Sequence, residues 1–130
     1  MDRIWVATAS LIYPEIKSTV LVSYDDILNK VNERFPINIT PIMLTHHLVS
    51  WEDRQADKKN PKRGGSRNRY LFCTLDGYEP IENGFFRLYK KSDSQFDGWD
   101  KTGKIRPENI KIPPEFRYLI DWHENDYFGS

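Results

Sequence analysis

The chain has a single cysteine, Cys73, in 130 residues. An internal disulfide is therefore excluded, and a reducing compartment, the cytoplasm, is the expectation. Long apolar runs are also missing, and none approaches the roughly 20 residues of a membrane-spanning helix. The opening Met1-Asp2-Arg3-Ile4-Trp5 lacks the basic-then-apolar layout of a secretory leader. Net charge is absent too, because nineteen Lys and Arg balance nineteen Asp and Glu. A protein that coats nucleic acid through bulk charge is excluded on that ground. No glycine-rich phosphate-binding motif, internal repeat or low-complexity tract occurs; Gly64-Gly65 reads only as a loop.

Aromatic rings, in contrast, are plentiful: four Trp, seven Tyr and seven Phe. In one domain of this length they are expected to carry much of the packing. The charge is unevenly spread. Lys58, Lys59, Lys62, Arg63, Arg67 and Arg69 follow one another with no acid between them. Near the other end Glu115, Asp121, Glu124 and Asp126 face only Arg117. A local cationic patch thus sits in a neutral whole.

Residues 2 to about 15 read as a first helix, with Ile4, Ala7, Leu11 and Ile12 as its apolar stripe and Tyr13-Pro14 as its exit. Val20-Leu21-Val22 is a short β-branched run suited to a sheet edge. Ser23 then caps a second helix, and Asp26, three residues on, completes an Asp form of the capping box. Tyr24, Ile27, Leu28, Val31 and Phe35 recur at helical spacing until Pro36. After the connector Pro36-Ile37-Asn38-Ile39, Thr40 is a good N-cap and Pro41 suits the first helical position. Leu44, Leu48 and Trp51 define the buried face of a third helix running to Trp51. Ile42, His46, Val49 and Asp53 lie opposite, flanked by Met43, Thr45 and Ser50. Two capped helices joined by a short corner form a helix-turn-helix, whose second helix would enter a DNA groove. The plain alternative is an amphipathic core helix whose outer face meets only water.

The cationic segment from 58 to 69 carries Pro61 and Gly64-Gly65 and reads as a solvated loop. Tyr70–Thr74 and Gly84–Lys90 are the best strand candidates, separated by the turn dipeptides Asp76-Gly77 and Asn83-Gly84. They should pair antiparallel, with 20–22 as a third strand. Residues 91 to 113 look irregular, with Phe96, Trp99, Ile105, Ile110 and Ile112 as isolated anchors. A last helix starts at Pro114, with Phe116, Leu119, Ile120, His123 and Tyr127 as its stripe, either against the core or across a homodimer or partner interface. The closing Gly129-Ser130 carries no structural signal. The expected fold is α+β: a winged helix-turn-helix of three helices and an antiparallel hairpin over 1–90, with a C-terminal extension and helix over 91–130 packed on it.

Three runs carry a resemblance: Arg67-Asn68-Arg69-Tyr70-Leu71-Phe72, Phe86-Arg87-Leu88-Tyr89-Lys90 and Gly103-Lys104-Ile105-Arg106-Pro107. They resemble the winged-helix domain of small, mostly uncharacterised prokaryotic proteins linked to restriction systems. The likeness spans roughly residues 3 to 90. It implies DNA binding by analogy and no catalytic residue. One departure is the loop between the strands. A wing that grips DNA usually has Arg or Lys at its tip, whereas this one carries Asp76, Glu79 and Glu82.

Double-stranded DNA is the expected partner. Lys58, Lys59, Lys62, Arg63 and Arg67 would neutralise phosphates in place of the wing. Thr40 would set the positive end of its helix near a phosphate, and Met43, Thr45, His46 and Ser50 would reach the groove. Each has a plain reading beside it, since an exposed His is commonly a surface residue and clustered cations are commonly a solvated loop. Arg87 reads as structural, lying over an aromatic ring such as Tyr70 or Tyr89. No cofactor, metal or catalytic residue is expected. Glu108-Asn109-Ile110-Lys111 has one residue too many for the Glu-x-Lys of a metal-dependent nuclease. His46 and His47 point about 100° apart on a helix, which suits no shared zinc ion. Cys73 has the small apolar role usual in a strand. The competing function is a protein-binding module that uses an exposed aromatic surface of Trp99, Trp122, Tyr127 and Phe128.

Overall fold

The structure, a computed structural model, describes residues 3–34, 40, 43–44, 48–49, 71–73, 84–94 and 105–130. Its regular elements are α1 (Arg3–Ile12), β1 (Val22–Ser23), α2 (Tyr24–Arg34), β2 (Leu48–Val49), β3 (Leu71–Cys73) and β4 (Phe85–Leu88). A short α3 (Lys91–Ser94), two 3₁₀ turns (Asn109–Lys111 and Pro114–Phe116), α4 (Arg117–Trp122) and a wide π turn (His123–Tyr127) follow. The fold is α+β.

Helix α1 is the centre. Residues 4–12 include no charged side chain. Ile4, Trp5, Val6, Ala7, Thr8 and Ala9 are buried in succession, so the helix has no wet face over these turns. An apolar stripe on one side is thus too modest an expectation, because α1 packs against α2, β1, β4 and α4 together. An apolar helix without a polar side is stable only when enclosed. Its two buried or half-buried hydroxyls are satisfied within the helix: Thr8 Oγ1 donates to the Ile4 carbonyl at 2.8 Å and Ser10 Oγ to that of Val6 at 2.7 Å.

Helix α2 forms for the reasons legible in its residues. The Ser23 backbone N–H donates to Asp26 Oδ2 at 3.2 Å, and the Asp26 N–H donates to Ser23 Oγ at 3.1 Å. These reciprocal bonds satisfy two N–H groups that the first turn cannot pair internally. Asp25 and Asp26 also suit the positive end of the helix. Tyr24, Ile27 and Val31 are buried, with Leu28 packed beside them. On the wet side Lys30 and Glu33 approach to 3.6 Å.

The sheet has the order β1-β4-β3-β2. β3 and β4 are antiparallel with Leu71 opposite Leu88 and Cys73 opposite Phe86. β1 adds antiparallel to β4 with Val22 opposite Phe86. This three-stranded part agrees with the sequence pattern. β2 does not, since Leu48 and Val49 pair parallel with Leu71 and Phe72. The helix expected to run to Trp51 therefore ends before Leu48, and Leu48 belongs to a sheet edge.

The C-terminal segment closes the core from the other side. Phe116, Leu119, Ile120, Trp122 and Tyr127 join the same buried cluster as α1 and α2. Of the anchors expected between 91 and 113, Ile112 is buried, Ile105 packs against Tyr89 and Ile110 stands 82 % exposed. Arg117 Nε holds the turn before α4 by donating to the carbonyls of Asn109 at 3.1 Å and Ile112 at 3.0 Å. Ser130, read as idle in the sequence, has its Oγ within 2.9 Å of the Ile16 carbonyl and 2.7 Å of the Tyr127 carbonyl.

Replacing Ser23 by Ala removes one half of the reciprocal cap. The expected cost is about 1 kcal/mol of unfolding free energy, read from urea denaturation, with an unchanged m-value.

Candidate functional site

The turn from which a nucleic-acid face was expected is capped at Thr40, as its residues predict. Thr40 Oγ1 accepts the Met43 N–H at 3.3 Å, and the Thr40 carbonyl accepts the Leu44 N–H at the same distance. Both bonds are those of an N-cap, in which side chain and backbone oxygens take up first-turn donors. The chain is helical at Met43 and Leu44. Leu44 is wholly buried while Met43 is 40 % exposed, so this turn has the inner and outer sides expected of it.

Beyond that turn the arrangement departs from the expectation. With β2 starting at Leu48, the helical face expected to run on from Met43 is interrupted by a strand. Val49, placed on the outer helical face by spacing, is likewise a strand residue. The helix fails to continue because Leu48 and Val49 take up the edge of β3, a partner that no local periodicity announces. Thr45, His46, Ser50, Lys58, Lys59, Lys62, Arg63 and Arg67 lie outside the described residues, as do His47, the wing loop and Trp99. The parallel register does establish one geometric fact. The chain enters β2 and β3 from the same end of the sheet, and the connection between these two strands carries the whole cationic run.

The polar chemistry that the structure describes lies elsewhere, where the end of β4 meets the C-terminal turn. Lys90 is 2 % exposed. Its Nζ donates to the Ile16 carbonyl at 2.5 Å, to the Tyr127 carbonyl at 3.3 Å and to Ser130 Oγ, and lies 4.0 Å from the centre of the Tyr127 ring. Backbone oxygens and an aromatic face thus replace part of the water a buried ammonium loses. The effect is to tie the loop after α1, the end of β4 and the chain's last residues at one point. The Lys91 N–H adds a bond of 2.8 Å to the Phe128 carbonyl.

His123 is fully buried beside it. Its Nε2 lies 3.0 Å from the Tyr89 carbonyl, which can only accept, so Nε2 carries the proton and Nδ1 the lone pair. The ring stacks on Tyr127 at 5.5 Å and meets Trp5 edge-on at 5.7 Å. Among the described residues Nδ1 has no hydrogen-bond partner. Burial, then the nearby Arg106 and Lys90 charges, push the imidazole down to about 3, against a smaller upward pull from the Tyr89 carbonyl. His123 is therefore neutral in the fold at ordinary pH. Arg106 caps the cluster over the Phe128 ring at 5.2 Å, with burial lowering its affinity for the proton and Glu124 raising it.

This cluster holds the fold together. Its imidazole is enclosed by rings, with Trp5, Trp122, Tyr127 and Phe128 all around it. Among the described residues no group of three His, Cys, Asp or Glu could hold a metal ion. The same packing removes two members, Trp122 and Tyr127, from the proposed aromatic surface. Trp122 is 5 % exposed and Tyr127 is 0 % exposed, so neither offers a face to a partner. Arg87 is buried, with Nη1 donating to the Leu88 carbonyl at 3.1 Å, as a structural residue does. Sequence reasoning missed Lys90. A lone Lys at a strand's end looks like a surface charge, and no spacing signals the distant carbonyls that receive it. The helical stripe did include His123 and Tyr127.

Comparison with family models, with curated proteins and with solved structures finds no match.

The neutral, buried His123 sets an acid limit on stability. The unfolded chain binds a proton at this residue below about 6.5, whereas the folded chain resists doing so until about 3. Stability is lost as pH falls through that window, by up to about 1.4 kcal/mol per pH unit from this residue. Urea midpoints across the window should fall less steeply for His123→Phe than for the unaltered chain. Imidazole NMR of the unaltered chain should show the Nε2–H tautomer down to about pH 4. A normal titration near 6.5 would overturn the assignment.

Proposed function

We propose that the protein is a cytoplasmic, non-catalytic binder of double-stranded DNA built on a winged-helix plan. In this reading Lys58, Lys59, Lys62, Arg63 and Arg67 contact phosphates, and the Thr40-capped turn with Met43 faces the duplex. The observation that carries it is the parallel pairing of Leu48 with Leu71. It means that the strand following the capped turn and the strand following the cationic run start side by side at one end of the sheet. The cations and the capped turn, separate in sequence, thus lead into a single edge of the molecule. The antiparallel β1-β4-β3 arrangement, with α1 and α2 packed on each other, supports the winged-helix plan. The parallel β2 is an addition to that plan. No described helix is long and apolar enough to cross a membrane. A role beside a restriction system follows from the sequence resemblance alone and is part of the proposal.

Phosphate neutralisation releases counterions, so the logarithm of affinity falls linearly with the logarithm of salt concentration. A single duplex titrated across a salt series should give such a line for the unaltered chain. Lys62→Glu/Arg63→Glu should flatten the slope by about two and weaken binding most at low salt. Failure of the unaltered chain to bind any duplex at low salt would overturn the proposal. Cleavage of the duplex with added Mg²⁺ would overturn its non-catalytic part.

A further inference from the structure

We infer that the exposed face shared by the exit of α1 and by α4 docks an arginine-bearing segment of another protein. Tyr13, just past α1, and Tyr118, on α4, are 42 % and 47 % exposed. Their rings meet edge to face, with 5.0 Å between centroids and 79° between planes. The buried Trp122 meets Tyr13 in the same way at 5.6 Å. The two exposed rings are thus fixed by their neighbours, and rings already fixed lose little freedom on binding.

Carboxylates surround this pair. Asp121 stands one turn beyond Tyr118 on α4, and Glu115 three residues before it in the 3₁₀ turn that leads in. Glu15 follows Tyr13 by two residues, and all three acids are exposed. Among the described residues none of them lies within ion-pair distance of a cation. Arg117, the cation within α4, turns its Nε to the carbonyls of Asn109 and Ile112. Lys17 lies past Ile16, whose carbonyl is tied to Lys90. The face is therefore aromatic and acidic.

That chemistry selects the occupant. Nucleic acid and anionic lipid are repelled by the carboxylates. A purely apolar segment would cover the rings only by stripping water from carboxylates it cannot pair. A guanidinium answers both features, because it lies flat on a tyrosine face and gives a carboxylate two parallel hydrogen bonds. An ammonium offers no such fork and holds its water more strongly. The face uses none of the cations proposed to meet phosphate, so a duplex and this partner are separate ligands.

The test uses the full chain and a short, end-blocked, fluorescently labelled peptide of alternating Arg and Gly, compared with Lys-Gly and Glu-Gly counterparts by anisotropy. The Arg peptide should bind and weaken as salt rises, the Lys peptide should bind about threefold more weakly, and the Glu peptide should not bind. Glu115→Gln/Asp121→Asn should weaken the Arg peptide about fivefold. Asp25→Asn/Glu33→Gln, which removes the same charge from α2, should leave it unchanged. Tyr118→Ser should remove the preference for Arg over Lys and Tyr118→Phe should keep it, with urea midpoints showing that each variant is folded. An equal loss in the α2 variant, equal binding of the Arg and Lys peptides, or no binding at low salt would overturn the inference. So would self-association in sedimentation that Glu115→Gln/Asp121→Asn abolishes, because the face would then belong to a second copy of this chain.

Discussion

Enclosure of α1 is the constraint on which the other elements depend. Six consecutive residues, Ile4 to Ala9, are hidden from water, and Trp5 is wholly buried. One helix buried on every side needs partners on every side. Helix α2 takes one flank, the sheet through β4 and β1 another, and α4 a third. A buried indole removes roughly 150–250 Å² from water, on the order of 4–6 kcal/mol before the entropy of ordering is set against it. That term is available only when all three neighbours are in place, which makes the C-terminal segment part of the core.

The site around Lys90 and His123 follows from that requirement. To cover α1, the segment from Pro114 to Tyr127 crosses over it and ends near the loop that leaves α1. The junction brings backbone carbonyls of Ile16, Tyr89 and Tyr127 to buried side-chain donors. The ammonium of Lys90 joins Ser130 in pairing the carbonyls of Ile16 and Tyr127, the Nε2–H of His123 pairs that of Tyr89, and the surrounding rings exclude water. The imidazole is kept neutral because it shares a dry space with Lys90 and Arg106. Charge in this protein is thus used in two ways. Lys90 and Arg106 work inside the fold as ties, and the cations of 58–69 are the ones proposed to meet phosphate.

That division sets the character of the proposed interface. The edge of the sheet is extended by β2, which takes Leu48 and Val49 from the helix expected after Thr40. What is left is a capped turn with Leu44 inward and Met43 outward. The carboxylates of Asp76, Glu79 and Glu82 between β3 and β4 favour the same division, because phosphate contact there would be repelled.

Interactions reaching three or four residues along the chain were determined by the sequence itself. The Ser23–Asp26 cap, the apolar face of α2 and the Thr40 cap follow from spacing and residue type, and the alternation that announces the strands at 71–73 and 85–88 is just as local, although the partners it pairs stand 13 to 17 residues apart. Their physical causes, a side chain meeting the next helical turn or alternation across a pleat, are local. What only the tertiary structure decided involves partners far apart in the chain. Leu48 and Val49 fit helical spacing as well as strand pairing, and the open edge of Leu71–Phe72 favours the strand. Lys90 looks like any surface cation until Ile16 and Ser130 come to it across the fold. Trp122 and Tyr127 could have faced solvent or a partner, but the unmet apolar side of α1 draws them inward.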